Sequence, residues 1–248
     1  MIRRKVLLLI VMFLFISEGC AKTKPYNPFR VAEEEFYAKT KVIALAPVVV
    51  SAELDRVEAI RAKFDSLIET TLRESGLTII PSGELAGVWK TMSERVGGVL
   101  NPDTGKRDDA KFKAAKEHTL RELSAKFSVD AVVYPLIGRF NVRWEGGVAE
   151  WHGVSERVTP SSLSWVLKNP TMVPLKGVVP ALSLYVIIED IHGVKMYENG
   201  GGIQLLAKPV ETYYDYQPVP KDQLLVDEGK NLNAVKIALG PLIPKPGR

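Results

Sequence analysis

Apolar positions follow one rhythm in the first half of this chain and another in the second. Val42 to Val50 is continuously apolar, as expected of a strand covered on both faces, with Pro47 marking a sheet edge or a bulge. Val57, Ile60, Phe64, Leu67, Ile68 and Leu72 then recur at three- and four-residue steps, which predicts a helix stopped by Gly76. Leu77 to Ile80 is a second, short strand ended by Pro81, and Glu84 to Val96 is a weaker helix carrying Trp89. Gly97-Gly98 and Asn101 to Lys106 have turn chemistry. Asp108-Asp109 favours the start of a third helix, with Phe112, Ala115, Leu120, Leu123 and Phe127 as its buried stripe. Ala131 to Ile137 is a third apolar strand.

Beyond this point the pattern changes. Residues 140–158 mix Gly and Trp with alternating polar positions, and residues 160–180 hold four prolines and a short helical turn around Leu163 to Leu167. Leu182 to Glu189, the turn Asp190-Ile191-His192-Gly193 and Val194 to Tyr197 read as a hairpin, and Ile203 to Ala207 continues it or adds a strand. A loop bounded by prolines holds Tyr213, Tyr214 and Tyr216, and a last helix from Asp222 to Leu239 stops at Gly240-Pro241. Apolar strands linked by helices predict an α/β fold: a mixed sheet of about five to six strands with helices packed on it. A single domain is expected over residues 42–240, followed by a tail, 241–248.

The N-terminus has a different character. Arg3-Arg4-Lys5 precedes an uninterrupted apolar run from Val6 to Ile16, about half of the roughly 20 residues a membrane-spanning helix needs. This matches the h-region of a secretory signal. Ser17-Glu18-Gly19-Cys20 follows and resembles the lipobox of bacterial lipoproteins, in which signal peptidase II cuts before a lipid-modified cysteine. The resemblance implies a signal peptide over residues 1–19, lipidation (palmitate among the acyl chains) at Cys20, and a mature protein that stays on a membrane, because two or more acyl chains hold stably where one does not. Ala21 resembles the sorting residue of lipoproteins sent to the outer membrane. Residues 20–41, with two prolines and Glu33-Glu34-Glu35, are expected to be the lipidated cysteine and an extended tether.

Charge and chemistry narrow the function. Cleavage removes Arg3, Arg4, Lys5 and Glu18, so the net charge of +4 falls, and no Lys/Arg run remains to suggest nucleic-acid binding. One cysteine and three histidines make no disulfide and no zinc or iron–sulfur set; no metal and no cofactor are expected. Gly98 to Lys106 is not a phosphate loop, since Leu100 and Arg107 stand where Gly and Ser/Thr are needed. Glu150, Trp151 and His152 admit a general base beside a carboxylate, or simply a half-exposed strand; His118 and His192 are expected in solvent.

Asn101-Pro102-Asp103-Thr104-Gly105-Lys106, the helix after it, Val129-Asp130-Ala131-Val132-Val133 and the segment Ile188 to Gly201 resemble uncharacterised proteobacterial lipoproteins. The order of elements is similar, more distantly, to the periplasmic α/β domain shared by the curli-secretion lipoprotein CsgG, the TolB amino-terminal domain and the lipoprotein activators of penicillin-binding proteins. The expectation is a non-enzymatic module, anchored by lipid to the periplasmic face of the outer membrane, that binds or assembles an envelope protein partner. Trp144, Trp151, Tyr213, Tyr214 and Tyr216 are its candidate contact residues, exposed aromatics giving much contact area at small entropic cost. The alternatives are an oligomeric secretion or pore component of CsgG type and a cell-envelope hydrolase.

Overall fold

The structure is a computed structural model, and it describes residues 26–51, 53–158, 176–209 and 216–243. Its centre is an eight-stranded mixed sheet, wider than the sequence suggested. The parallel half holds β1 (Val42–Leu45), β2 (Val49–Val50), β3 (Thr78–Ile80) and the start of β4 (Ala131–Glu145). Pro47 interrupts the first apolar run, and the pairing register against β4 changes by one residue, from Leu45↔Val133 to Val49↔Leu136. Helix α2 (Val57–Glu74) makes the crossover from β2 to β3, burying Ile60, Phe64, Ile68 and Leu72 against the sheet. Two further helices, α3 (Ser82–Arg95) and α4 (Asp109–Phe127), pack together on the other face. Asp108 caps α4 by accepting from the Lys111 amide, as the acidic pair implied.

The antiparallel half is built on length. β4 runs on well past Ile137 to Glu145, and β7 (Lys176–Asp190) pairs with it along its whole extent, from Ala131↔Asp190 to Glu145↔Lys176. β7 turns at Asp190 into β8 (Lys195–Leu205), as the hairpin pattern predicts; the Asp190 carboxylate accepts from the amides of His192 and Val194 at 2.8 Å. From the far end of β4 the chain doubles back as β5 (Val148–Trp151) and β6 (Val154–Arg157). The two-residue turn His152-Gly153 has positive φ at both positions, which a hairpin turn of this length requires. That turn lies over β8: the Gly202 amide donates to the His152 carbonyl at 2.9 Å. The sheet thereby curls into a trough with its own small core, including Val142, Trp144, Ala149, Trp151 and Val179. β9 (Ala207–Pro209) and β10 (Tyr216–Pro218) form a separate two-stranded ribbon.

Helix α5 (Glu228–Leu239), capped by Asp227, closes the main core on the face shared with α2. It lies against Gly201, the middle of three consecutive glycines of β8. A Cβ at Gly201 would sit 1.9 Å from the Ala234 carbonyl oxygen, while Cβ atoms at Gly200 and Gly202 would strike His152 and Val154 of the β5–β6 hairpin. The strand is squeezed from both faces, by helix backbone at Gly201 and mainly by side chains at Gly200 and Gly202.

The tether expectation for residues 20–41 is corrected over its described part. Pro28 to Arg30 pairs with β8, the Arg30 amide donating to the Met196 carbonyl at 2.8 Å and the Glu198 amide to Pro28 at 2.9 Å. Helix α1 (Glu33–Lys39) follows and buries Phe36 completely. Phe29, Phe36, Tyr37 and Tyr197 form an edge-packed aromatic cluster, and burying the Phe29 and Phe36 rings outweighs the solvation that Glu33 to Glu35 gain from a loose chain. At the other end Leu242 is also buried and accepts from the Tyr37 hydroxyl at 2.9 Å, so the domain extends past residue 240. The signal segment and Cys20 lie outside the described residues, and so does the tail from residue 244.

Candidate functional site

Because α3 and α4 cover only the lower part of one sheet face and the β5–β6 hairpin covers the upper part, a strip between them stays open. Its deepest part is a cleft of about 520 Å³. The floor comes from the sheet: Pro47 and Val49 at the β1–β2 break, Tyr134 of β4, Ile187 and Glu189 of β7. Leu85 and Trp89 of α3 form one wall, and Phe112, Lys116, Leu120 and Leu123 of α4 the other. The α4 residues recur at three- and four-residue steps and so share one face of that helix. Trp89 meets Phe112 edge-on, ring centroids 5.3 Å apart, and the Arg107 guanidinium lies 4.7 Å over the Phe112 ring. At the mouth the Lys116 ammonium bonds Glu189 at 2.7 Å and lies 5.1 Å over the Tyr134 ring. Burial, and then the Glu189 charge, push the Tyr134 phenol above its usual pKa, so it stays a neutral donor. Val49, 59% exposed, pairs with the exposed Leu136 and carries the apolar surface beyond the mouth.

A second, polar cluster follows along the same face. The Tyr185 hydroxyl bonds the Glu198 carboxylate, which also meets Lys195 at 2.8 Å and Arg30 at 3.3 Å. Bonding to Lys195, then to Tyr185, holds the Glu198 carboxyl below its ordinary range. Above it, His152 Nδ1 lies 2.8 Å from Ser183 Oγ, with the ring edge-on to Phe140 at 5.0 Å. A serine beside a histidine is the start of a nucleophilic site, but Ser183 is wholly buried under the hairpin, where no substrate atom reaches its oxygen. Glu150 is not brought to His152; it lines a separate cavity with Arg143 and Lys176. The arrangement suits a satisfied structural pair.

Burial lowers the His152 pKa below 6.5. The folded state therefore favours the neutral ring. Above that value both states are neutral at this site; as pH falls through the folded-state value the unfolded chain binds the extra proton first, and stability is lost. Thermal melts should show this loss as the pH falls below about 6.5, and His152→Asn, which tolerates positive φ, should flatten that part of the curve. An unchanged pH profile in the variant would contradict this role.

The aromatic contact residues are placed differently from the sequence expectation. Trp144 and Trp151 are 4% and 8% exposed and fill the trough, so the reading of them as an exposed platform is corrected. The reason is strand alternation: on β4 the charged neighbours Arg143 and Glu145 face solvent and turn Trp144 inward, while Trp151 donates its ring N–H to the Leu182 carbonyl at 3.5 Å. Tyr213 and Tyr214 lie outside the described residues, and of Tyr216 only the backbone, paired with Pro209, is described. His192 is exposed in the β7–β8 turn, as expected, whereas His118 is only half exposed and bonds Arg121 at 3.0 Å. Sequence reasoning missed the cleft: Trp89 and Phe112 were visible, but each only as a helix residue.

No helix among the described residues is long and apolar enough to cross a membrane. No protein-family model matches the chain, and no curated protein matches it in sequence. Solved structures that resemble it include the following two. Lipoprotein GNA1162 from Neisseria meningitidis is 16% identical, with a TM-score of 0.32 over 66% of this chain and 81% of its own. The PelC dodecamer from Paraburkholderia phytofirmans is 12% identical, with a TM-score of 0.35 over 84% of this chain and 91% of its own. Both likenesses are distant.

Proposed function

We propose that this protein is a lipid-anchored envelope module that works by binding rather than by catalysis, held by Cys20 to the periplasmic face of the outer membrane. The observation that supports binding most strongly is the open apolar cleft beneath α3 and α4, with its few convergent polar groups. The anchor rests on the signal and lipobox pattern that ends at Cys20. The described chain starts at Tyr26, whose hydroxyl bonds the Glu198 carbonyl at 2.7 Å, beside the β7 residue Ile187 that lines the cleft. Five residues lie between this point and Cys20, a reach of roughly 20 Å at most, so the bound surface stays near the bilayer.

The pore alternative sits poorly with the long β4–β7 ribbon. Its length exceeds the roughly 9 to 11 residues of a spanning strand, but the β5–β6 hairpin covers its apolar face, Phe140, Val142 and Trp144, and the face left open presents Arg139, Asn141, Arg143 and Glu145. An Arg at the bilayer midplane costs about 2–4 kcal/mol.

A photoreactive amino acid at position 49, at the cleft mouth, should capture an envelope component in intact cells, whereas the same residue at position 226, exposed outside the cleft, should not. Equal capture at both positions, or none at 49, would overturn the binding reading.

A further inference from the structure

We infer that the cleft between α3, α4 and the sheet binds one acyl chain of a zwitterionic envelope lipid. This rests on the binding-module reading above and names its ligand. Three observations converge. The first is size and lining: the cleft, about 520 Å³, lies within the roughly 300–1,000 Å³ of pockets that bury a small ligand. Its walls of Leu, Ile, Val, Trp and Phe suit one apolar chain and offer it few competing polar atoms.

The second is a hydroxyl without a partner. Thr70, Thr71 and Thr91 each donate to the carbonyl four residues back in their helices. Thr119 lines the cleft, is 4% exposed, and its Oγ1 makes no hydrogen bond among the described residues. The oxygen lies just under the cleft surface with no partner to lose, and rotation about χ1 turns it toward an ester or carboxyl oxygen at the head of an acyl chain.

The third is charge at the mouth. Lys116 and Glu189 form a half-buried pair there. A head group carrying both a phosphate and an ammonium exchanges partners with them, phosphate to Lys116 and ammonium to Glu189, and leaves no charge unpaired. A purely anionic head would leave Glu189 facing a like charge.

Cells making the full-length protein are fed a fatty acid bearing a diazirine and an alkyne, which they build into their lipids. After irradiation, the purified protein is digested and its lipid adducts are weighed. Light-dependent adducts are expected on the peptides holding Leu85 to Trp89 and Leu120 to Leu123, with the mass of a zwitterionic lipid. Val49→Tyr, at an exposed position that narrows the mouth, should remove them without lowering the melting temperature, and Thr119→Val should reduce their yield roughly threefold. The inference is overturned by three results: no light-dependent adducts, adducts unchanged in Val49→Tyr, or cleft peptides joined to a protein, to an anionic lipid or to the chain's own Cys20 peptide. Label on the Cys20 peptide that needs no light reports the anchor separately, so its loss is distinguishable from failure of the cleft.

Discussion

Gly201→Ala is expected to detach α5 from β8 and cost about 3 kcal/mol or more, the upper end of what an overpacked core loses. The added Cβ would lie 1.9 Å from the Ala234 carbonyl oxygen and 2.7 Å from its carbon. Both are helix backbone, so no side-chain rotation relieves the clash; strand and helix must separate. Separation would open the main core, where Ala234, Val235, Ala238 and Leu239 are all fully buried. Gly200→Ala is the control. There the added atom meets the His152 side chain at 2.9 Å rather than helix backbone, so a smaller loss of about 1 kcal/mol is expected. Urea denaturation of the three proteins checks this. Equal stability of wild type and Gly201→Ala would mean that α5 does not pack on β8 as described.

Phe36→Ala is expected to lose about 3–5 kcal/mol, as large-to-small changes of fully buried Phe do. Phe36 is completely buried, with Phe29 edge-on at 5.5 Å and Tyr37 at 5.3 Å. A residue of a solvated tether would lose almost nothing on truncation, so this one variant separates the two views of residues 26–41. Chemical denaturation gives the answer directly, and a loss under about 0.5 kcal/mol would return the segment to a tether.

The alternation of strand and helix to residue 137 was legible because each element there carries its own period, and the hairpin around Asp190 because its turn chemistry is local. The length of β4 was not. Beyond Ile137 its inward residues, Phe140, Val142 and Trp144, alternate with Arg139, Asn141 and Arg143, and such a half-polar ribbon has a core to face only once β5 and β6 fold back over it. The same non-local event hides Trp144 and Trp151, which by residue type alone suggest a binding surface. The N-terminal misreading had a similar origin: Pro25, Pro28 and three glutamates dominate the local pattern, while Phe29 and Phe36 find their partner, Tyr197, on a distant strand. The cleft depends on how far apart two covers of one sheet face come to rest, a quantity no segment carries alone. The nearest signal was an aromatic on each of two neighbouring helices, Trp89 and Phe112.

On the function proposed above, this domain works while fixed to a bilayer through Cys20. The mass of the N-terminal peptide of the mature protein, isolated from its native host, tests it most directly. The account predicts a chain beginning at residue 20 and carrying a diacylglyceryl thioether with an acylated amine. A free thiol at that position, or a chain still beginning at Met1, would contradict it.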